Sequence, residues 1–255
     1  MAEKFFYRKW VLISSARTTL NMNLEGKLII ITGASKGIGL ATAKMLLEQG
    51  AVVIAWSRSI PNIQHNNFHF FEADVQSLES VSQAFRETTA KLGNNIFGLV
   101  NNAGLGISGK LEEMAVEDWH TMFKTNVNGI FYCTRLILPE LKRQETGHII
   151  NISSIAGLTG VEEMSGYSAT KFAVRGISQA LLKEVRNFGV KVTCVFPGSV
   201  QTHFFDSIGS VTAHENMMQP EDIASTILHI LTSPPNYLHA EIEVRPLMPK
   251  GKQKR

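Results

Sequence analysis

No apolar run in these 255 residues approaches the roughly 18 that a membrane helix needs, so no membrane association is expected. The longest apolar stretch near the start, WVLI, is too short for the core of a secretion signal. Only two cysteines occur, Cys133 and Cys194, each inside an apolar stretch and without metal or redox spacing. They read as buried thiols in a reducing compartment, which points to the cytoplasm, and no metal site is expected. A concentrated charge is also missing. The net charge is +3 with lysines and arginines scattered, which gives nucleic-acid binding little support, and the terminal KGKQKR reads as a solvated tail. Two local absences say more. No Asp or Glu lies between Glu48 and Glu72, and no Lys or Arg lies between Lys191 and Arg245.

What is present is a regular alternation. Apolar, β-rich runs at 27–32, 51–56, 68–73, 96–100, 147–153, 190–196 and 239–244 predict strands. Between them, helical patterns cover about 37–49, 77–92, 116–142, 166–187 and 220–232. Several strands are apolar on both faces, as parallel strands covered on both sides must be. The pattern predicts an α/β fold: a single Rossmann-type doubly wound domain of about seven parallel strands with helices on both faces. No repeat or linker interrupts 27–244, so one catalytic domain is expected over 22–246, with 247–255 as a basic tail. Residues 1–21 read as a poorly ordered extension or a misassigned start, with a transit-like segment as the alternative, because MNLEGKLIIITGASKGIG from Met22 has the look of a natural beginning.

The first strand runs straight into TGASKGIG, Thr32 to Gly39, which opens a helix. In a dinucleotide site, glycines at Gly33, Gly37 and Gly39 have separate tasks: a tight turn, close approach of backbone to pyrophosphate, and close packing of helix on strand. An enzyme that uses NAD places an acid at the end of the second strand to hold the adenosine ribose. This chain has Ser57 and Arg58 there. A guanidinium fork attracts a 2′-phosphate that an acid would repel, and Lys36 in the glycine turn adds to that attraction. The reading is NADP(H) rather than NAD(H), against the alternative of a solvated loop arginine.

SGYSATK, residues 165–171, sets Tyr167 and Lys171 four apart on one helix face. Alone, the pair is compatible with an exposed helix start. The ordered series TGASKGIG, Ala73–Val75, NNAG at Asn101–Gly104, Asn126 within KTNVNG, NISS at Asn151–Ser154, YSATK and PGSVQT at Pro197–Thr202 resembles the short-chain dehydrogenases/reductases from Leu24 to about Val244. The resemblance implies Tyr167 as acid/base, Ser154 orienting the substrate oxygen, Lys171 on the nicotinamide ribose and favouring tyrosinate, and Asn126 holding a water that relays protons. It further implies cofactor contacts from Gly33, Ser35, Lys36, Gly37, Ile38 and Gly39, then Ser57 and Arg58, Asp74 and Val75 at the adenine, Asn102, Ala103 and Gly104, and Pro197, Gly198, Val200 and Thr202 towards the nicotinamide. The chemistry is coherent without the family. Carbonyl reduction needs hydride on carbon and a proton on oxygen, and a cation beside a phenol moves its pKa down.

The expected activity is NADPH-dependent reduction of a carbonyl, or the reverse. One alternative is reduction of 3-oxoacyl carrier proteins, put in doubt by the ending EIEVRPLMPKGK, which lacks a glycine pair and apolar tail. Another is a non-catalytic nucleotide-binding regulator, which such relatives become by losing Tyr or Lys. The segment 201–219 is expected to cover the site, with Phe204 or Phe205 touching substrate, and without a cation it suits a small uncharged carbonyl or alcohol. His203 and His214 read as loop residues, Phe68, Phe70 and Phe71 as packing, and Met217 and Met218 either touch substrate or only pack. The resemblance also implies a homodimer or homotetramer, because members of that family pair these long helices between subunits.

Overall fold

A computed structural model describes residues 22–202 and 216–248. Seven strands form one parallel sheet: β1 (Leu28–Thr32), β2 (Val52–Ser57), β3 (Phe68–Glu72), β4 (Ile96–Asn101), β5 (Gly147–Ile152), β6 (Val190–Pro197) and β7 (Glu241–Val244), in the order β3-β2-β1-β4-β5-β6-β7. The helices are α1 (Gly37–Glu48), α2 (Leu78–Leu92), α3 (Val116–Phe123), α4 (Gly129–Gln144), α5 (Ser165–Val185) and α6 (Pro220–Thr232). Each predicted strand and helix is present.

The central strands are largely apolar because they serve two cores. In β1, Ile29 and Ile31 face a core completed by Leu46 and Leu47 of α1 and Ile223, Ile227 and Ile230 of α6. Ile30 faces the other, with Val81 of α2, Ile137 and Leu141 of α4, and Val185 of α5. Consecutive side chains of a strand point to opposite faces, so an uninterrupted apolar run is what a doubly covered sheet demands. Phe68, Phe70 and Phe71 join these cores, as expected. Cys133 and Cys194 are buried, and burial pushes their thiols up to about 12 and about 11. The inert-thiol reading holds.

One predicted helix is not continuous. The span 116–142 is interrupted by a π-helical turn, Lys124–Asn128, between α3 and α4. Apolar periodicity cannot reveal one extra residue in a turn, and such turns mark functional positions more often than chance. Asn126 lies inside it.

Strand order reverses between β1 and β4. Chain leaves β1 towards β2 and β3, then returns to lay β4 on the other side of β1. The loops leaving those two strands diverge, and a crevice opens beyond their carboxyl ends.

Candidate active site

Strand order dictates the order of the crevice. Along the carboxyl edge of the sheet lie Asp74 after β3, Ser57 and Arg58 at β2, Gly33 after β1, Asn102 after β4, Ser154 after β5, and Gly198 after β6. From β2 to β5 is three strand spacings, about 14 Å. These residues, with Ser35, Lys36, Gly37, Ile38, Val75, Ala103, Gly104, Tyr167, Lys171, Pro197, Val200 and Thr202, line one cavity of about 650 Å³.

The glycine turn is built for close approach. Gly33 has φ 66°, and a Cβ there would sit 2.8 Å from Ala103 Cα. A side chain at Gly39 would collide with the Gly33 carbonyl. The turn is also stapled to the β4 loop. Asn102 and Ala103 donate backbone N–H to Thr32 Oγ1, each at 3.0 Å, and Asn102 Nδ2 donates to the carbonyls of Thr32 (3.0 Å) and Gly33 (3.1 Å). Asn102 therefore acts first as a brace. Thr32 was absent from the candidate residues, although its position ahead of Gly33 was visible in the sequence.

At the β2 end, Ser57 Oγ donates to Ser59 O at 2.9 Å. Arg58 and Lys36 are exposed, and neither side chain has a hydrogen-bond or ion-pair partner among the described residues. Asp74 Oδ1 accepts from Gln76 N at 3.0 Å, so the carboxylate is partly free to meet a donor.

At the β5 end, a polar cluster converges. Tyr167 and Lys171 are only 7 % and 5 % exposed, one turn apart on α5. Lys171 Nζ donates to Ile152 O at 2.9 Å and lies 5.6 Å from the Tyr167 ring centre. Among the described residues that is its single hydrogen bond, so a buried ammonium with three donors keeps two for a ligand. Ser154 makes a side-chain hydrogen bond with Tyr167 and accepts from Ala156 N at 3.1 Å. Ser153 Oγ donates to Lys171 O at 2.9 Å, anchoring α5 to the β5 loop. Asn126 Nδ2 donates to Leu105 O (2.8 Å) and Thr170 Oγ1 (3.0 Å), while its Oδ1 accepts from Leu105 N (2.9 Å). A Cβ on Gly104 would stand 3.3 Å from Asn126 Oδ1 and 3.5 Å from Lys171 Nζ, so these three positions meet at one point.

Burial pushes the Tyr167 phenol up to about 12, against the Ser154 hydrogen bond, and pushes Lys171 down to about 8. Both groups lose hydration, and the ammonium is turned to the Ile152 carbonyl.

Met217 and Met218 are buried and stand apart from the cavity wall, so they pack. Phe204, Phe205, His203 and His214 lie outside the described residues. The segment's two flanks are clipped together: Gln201 N donates to Met218 O (2.8 Å) and Met218 N to Ser199 O (3.1 Å). Residues not anticipated also line the cavity, among them Leu105, Ile155, Val161, Glu162 and Met164. Among the described residues no group of three His, Cys, Asp or Glu could hold a metal, and no helix is long and apolar enough to cross a membrane.

A family model described as short chain dehydrogenase matches residues 27–212. The chain belongs to the short-chain dehydrogenase family. It is an oxidoreductase of that family, and its curated relatives include an uncharacterized oxidoreductase of Staphylococcus aureus (strain MRSA252), 35 % identical over 88 % of this chain and 99 % of that one. An uncharacterized oxidoreductase of Staphylococcus haemolyticus (strain JCSC1435) is 36 % identical with the same coverage. Among solved structures, this short-chain dehydrogenase is similar to the closed form of a serine dehydrogenase complexed with NADP+ (29 % identity, TM-score 0.78, 85 % of this chain and 94 % of that one). It is also similar to an alcohol dehydrogenase from the archaeon Thermococcus sibiricus complexed with 5-hydroxy-NADP (26 % identity, TM-score 0.79, 90 % and 100 %).

Proposed function

We propose that this chain is an NADPH-dependent oxidoreductase that interconverts a small carbonyl compound and its alcohol. One observation carries the reading: Ser154, Tyr167 and Lys171 converge at one end of a cavity whose other end presents the unpartnered cations Arg58 and Lys36. The residues fit a bound dinucleotide. The turn at Gly33 and Gly39 leaves no room for side chains, Asp74 retains acceptor capacity, and Lys171 retains two donors. Arg58 and Lys36 would hold a 2′-phosphate, and Gly33 to Gly39 the pyrophosphate beside the N-terminus of α1. The solved neighbours bound to NADP+ and to 5-hydroxy-NADP support the same choice of cofactor.

When bound, the reduced nicotinamide supplies a hydride to the carbonyl carbon. Ser154 donates to the carbonyl oxygen, where negative charge grows. Tyr167 gives that oxygen its proton. A phenol held near 12 by burial is fully protonated at neutral pH and is therefore loaded for reduction. Lys171 then steadies the tyrosinate and orients ribose hydroxyls. Asn126 holds the relay water with what its three side-chain bonds leave free, one Oδ1 lone pair and the backbone of the π turn.

The test is NADPH oxidation with ketones, aldehydes, quinones and acyl thioesters, repeated with NADH. Turnover of small carbonyls, faster with NADPH, is the expected result. Turnover confined to acyl thioesters would move the reading to carrier-protein substrates, and tight NADPH binding with no turnover would leave a regulator. The same reading includes a homodimer or homotetramer, for which exposed Phe131 on α4 and Phe172 on α5 supply apolar surface. Light scattering at micromolar concentration would show a monomer if that part is wrong.

A further inference from the structure

Charge divides unevenly along the cavity. Its cations Lys36 and Arg58 stand at the β1–β2 end. At the β5 end the wall is Leu105, Ile155, Ala156, Val161 and Met164, interrupted by Ser154, Tyr167 and one carboxylate, Glu162. Lys171 donates to the Ile152 carbonyl, and the proposed reading commits its remaining donors to the ribose and the tyrosinate. Glu162 itself has no hydrogen bond or ion pair among the described residues. The described residues that line the cavity from the end of β6 onward, Pro197, Gly198, Ser199, Val200 and Thr202, include no Lys or Arg.

The position of Glu162 is also built. Residues 161–164 form a turn closed by Met164 N donating to Val161 O at 3.1 Å. Val161 N donates to Ser168 Oγ at 3.3 Å, and Gly109 N to Glu163 O at 2.7 Å, so the turn is tied to α5 on one side and to the loop after β4 on the other. Glu163 has φ 57° without being glycine, a left-handed conformation that those ties must impose. The turn thus holds a free carboxylate on the rim of the compartment where the substrate carbonyl must sit, eight residues after Ser154 and five before Tyr167.

We infer that Glu162 selects the substrate: the site takes a small carbonyl or alcohol that carries an ammonium group, placing the carbonyl at Ser154 and Tyr167 and the ammonium at the Glu162 carboxylate. This rests on the proposed oxidoreductase activity and replaces the uncharged substrate expected from the sequence with a cationic one. An anionic substrate would meet the Glu162 carboxylate, while the one cation of this end, Lys171, is committed to ribose and tyrosinate in the proposed reading, and such a substrate is disfavoured for that reason.

A matched set of substrates tests this. Aminoacetone carries an ammonium, hydroxyacetone is a neutral analogue of similar size, and pyruvate is an anion. The quantity read is the ratio of kcat/KM for aminoacetone to that for hydroxyacetone, with saturating NADPH. A charge pair at an exposed carboxylate such as Glu162 corresponds to a preference of roughly two- to fivefold. The expected result is such a preference in the wild type, expressed mainly in KM, falling as salt is raised because the pair is screened. Glu162→Gln should bring the ratio close to one, and Glu162→Lys should invert it and admit pyruvate. A merely structural role for the residue would lower both substrates together and leave the ratio and its salt dependence in place. If the wild type reduces hydroxyacetone with no preference for aminoacetone, or if Glu162→Gln leaves the ratio intact, the inference is overturned while the oxidoreductase reading survives. If no carbonyl is reduced at all, both fall.

Discussion

Lys171 reaches past Tyr167: its Nζ donates to the Ile152 carbonyl at 2.9 Å and stands 5.6 Å from the phenol ring. The helix spacing that brought the two residues to one face did not make them an ion pair. It made a shared buried pocket in which each group is pushed towards its neutral form, the phenol up and the ammonium down. In the proposed reading, Tyr167 is a fully loaded proton donor and Lys171 a cation kept under-solvated until a ligand accepts its remaining hydrogen bonds.

Tyr167→Phe should lower kcat by about 10²–10⁴, the scale of a lost general acid, with NADPH binding within a few-fold of wild type. Lys171→Ala should damage both, because its free donors face the cofactor as well as the tyrosine. Stopped-flow turnover together with fluorescence titration of NADPH separates the two effects. Near-normal turnover in Tyr167→Phe would remove the proposed proton donor.

Lys171→Met should trade activity for stability in a pH-dependent way. The folded-state pKa of Lys171 is about 8 against an ordinary 10.5. The cost of burying its charge is therefore present in full below pH 8 and is relieved as pH rises from 8 towards 10.5, where the unfolded chain holds more protons than the folded one. Replacing it with methionine removes a cost on the order of 3 kcal/mol, partly offset by the lost bond to Ile152. The difference in Tm between variant and wild type should be most favourable to the variant at pH 7 and shrink by pH 10. A difference independent of pH would show that the lysine is hydrated in solution.

Arg58→Ala should weaken NADPH roughly tenfold to a hundredfold and leave NADH nearly unchanged, since a 2′-phosphate distinguishes the two. Calorimetric titration of both cofactors reads this directly. Equal loss for both would assign Arg58 to the shared part of the dinucleotide.

Thr32→Val should be costly despite its near-identical shape. It leaves the backbone N–H groups of Asn102 and Ala103 without their acceptor and loosens the glycine turn from the β4 loop. A loss of about 2–3 kcal/mol in urea unfolding is expected, with weaker NADPH binding, and Thr32→Ser should restore most of both. If valine is as stable as threonine, the staple is not holding the turn.

Much of this protein was legible along the chain. Apolar, β-rich runs between helical patterns identified the seven strands, most clearly the central ones, where Ile29, Ile30 and Ile31 serve two separate cores. The glycine turn and the Tyr167–Lys171 pair were marked by residue type and spacing, which are local quantities, and Ser154 by the resemblance to the short-chain dehydrogenases/reductases. Tertiary structure decided what depends on distant pairs. Thr32 and Asn102 are 70 residues apart and meet only because β4 returns to lie beside β1. The π turn at Asn126 changes one hydrogen-bond step and leaves the apolar period intact, so no pattern shows it. The pKa directions of Tyr167 and Lys171 follow from desolvation, which exists only once strands and helices have closed over them. Glu162 is a plain acid in sequence, and it becomes part of a substrate compartment because a turn tied at Gly109 and Ser168 carries it to the cavity wall. Sequence periodicity reports how each residue meets its nearest neighbours, whereas the active site is made by residues from six strands whose order only the folded sheet determines.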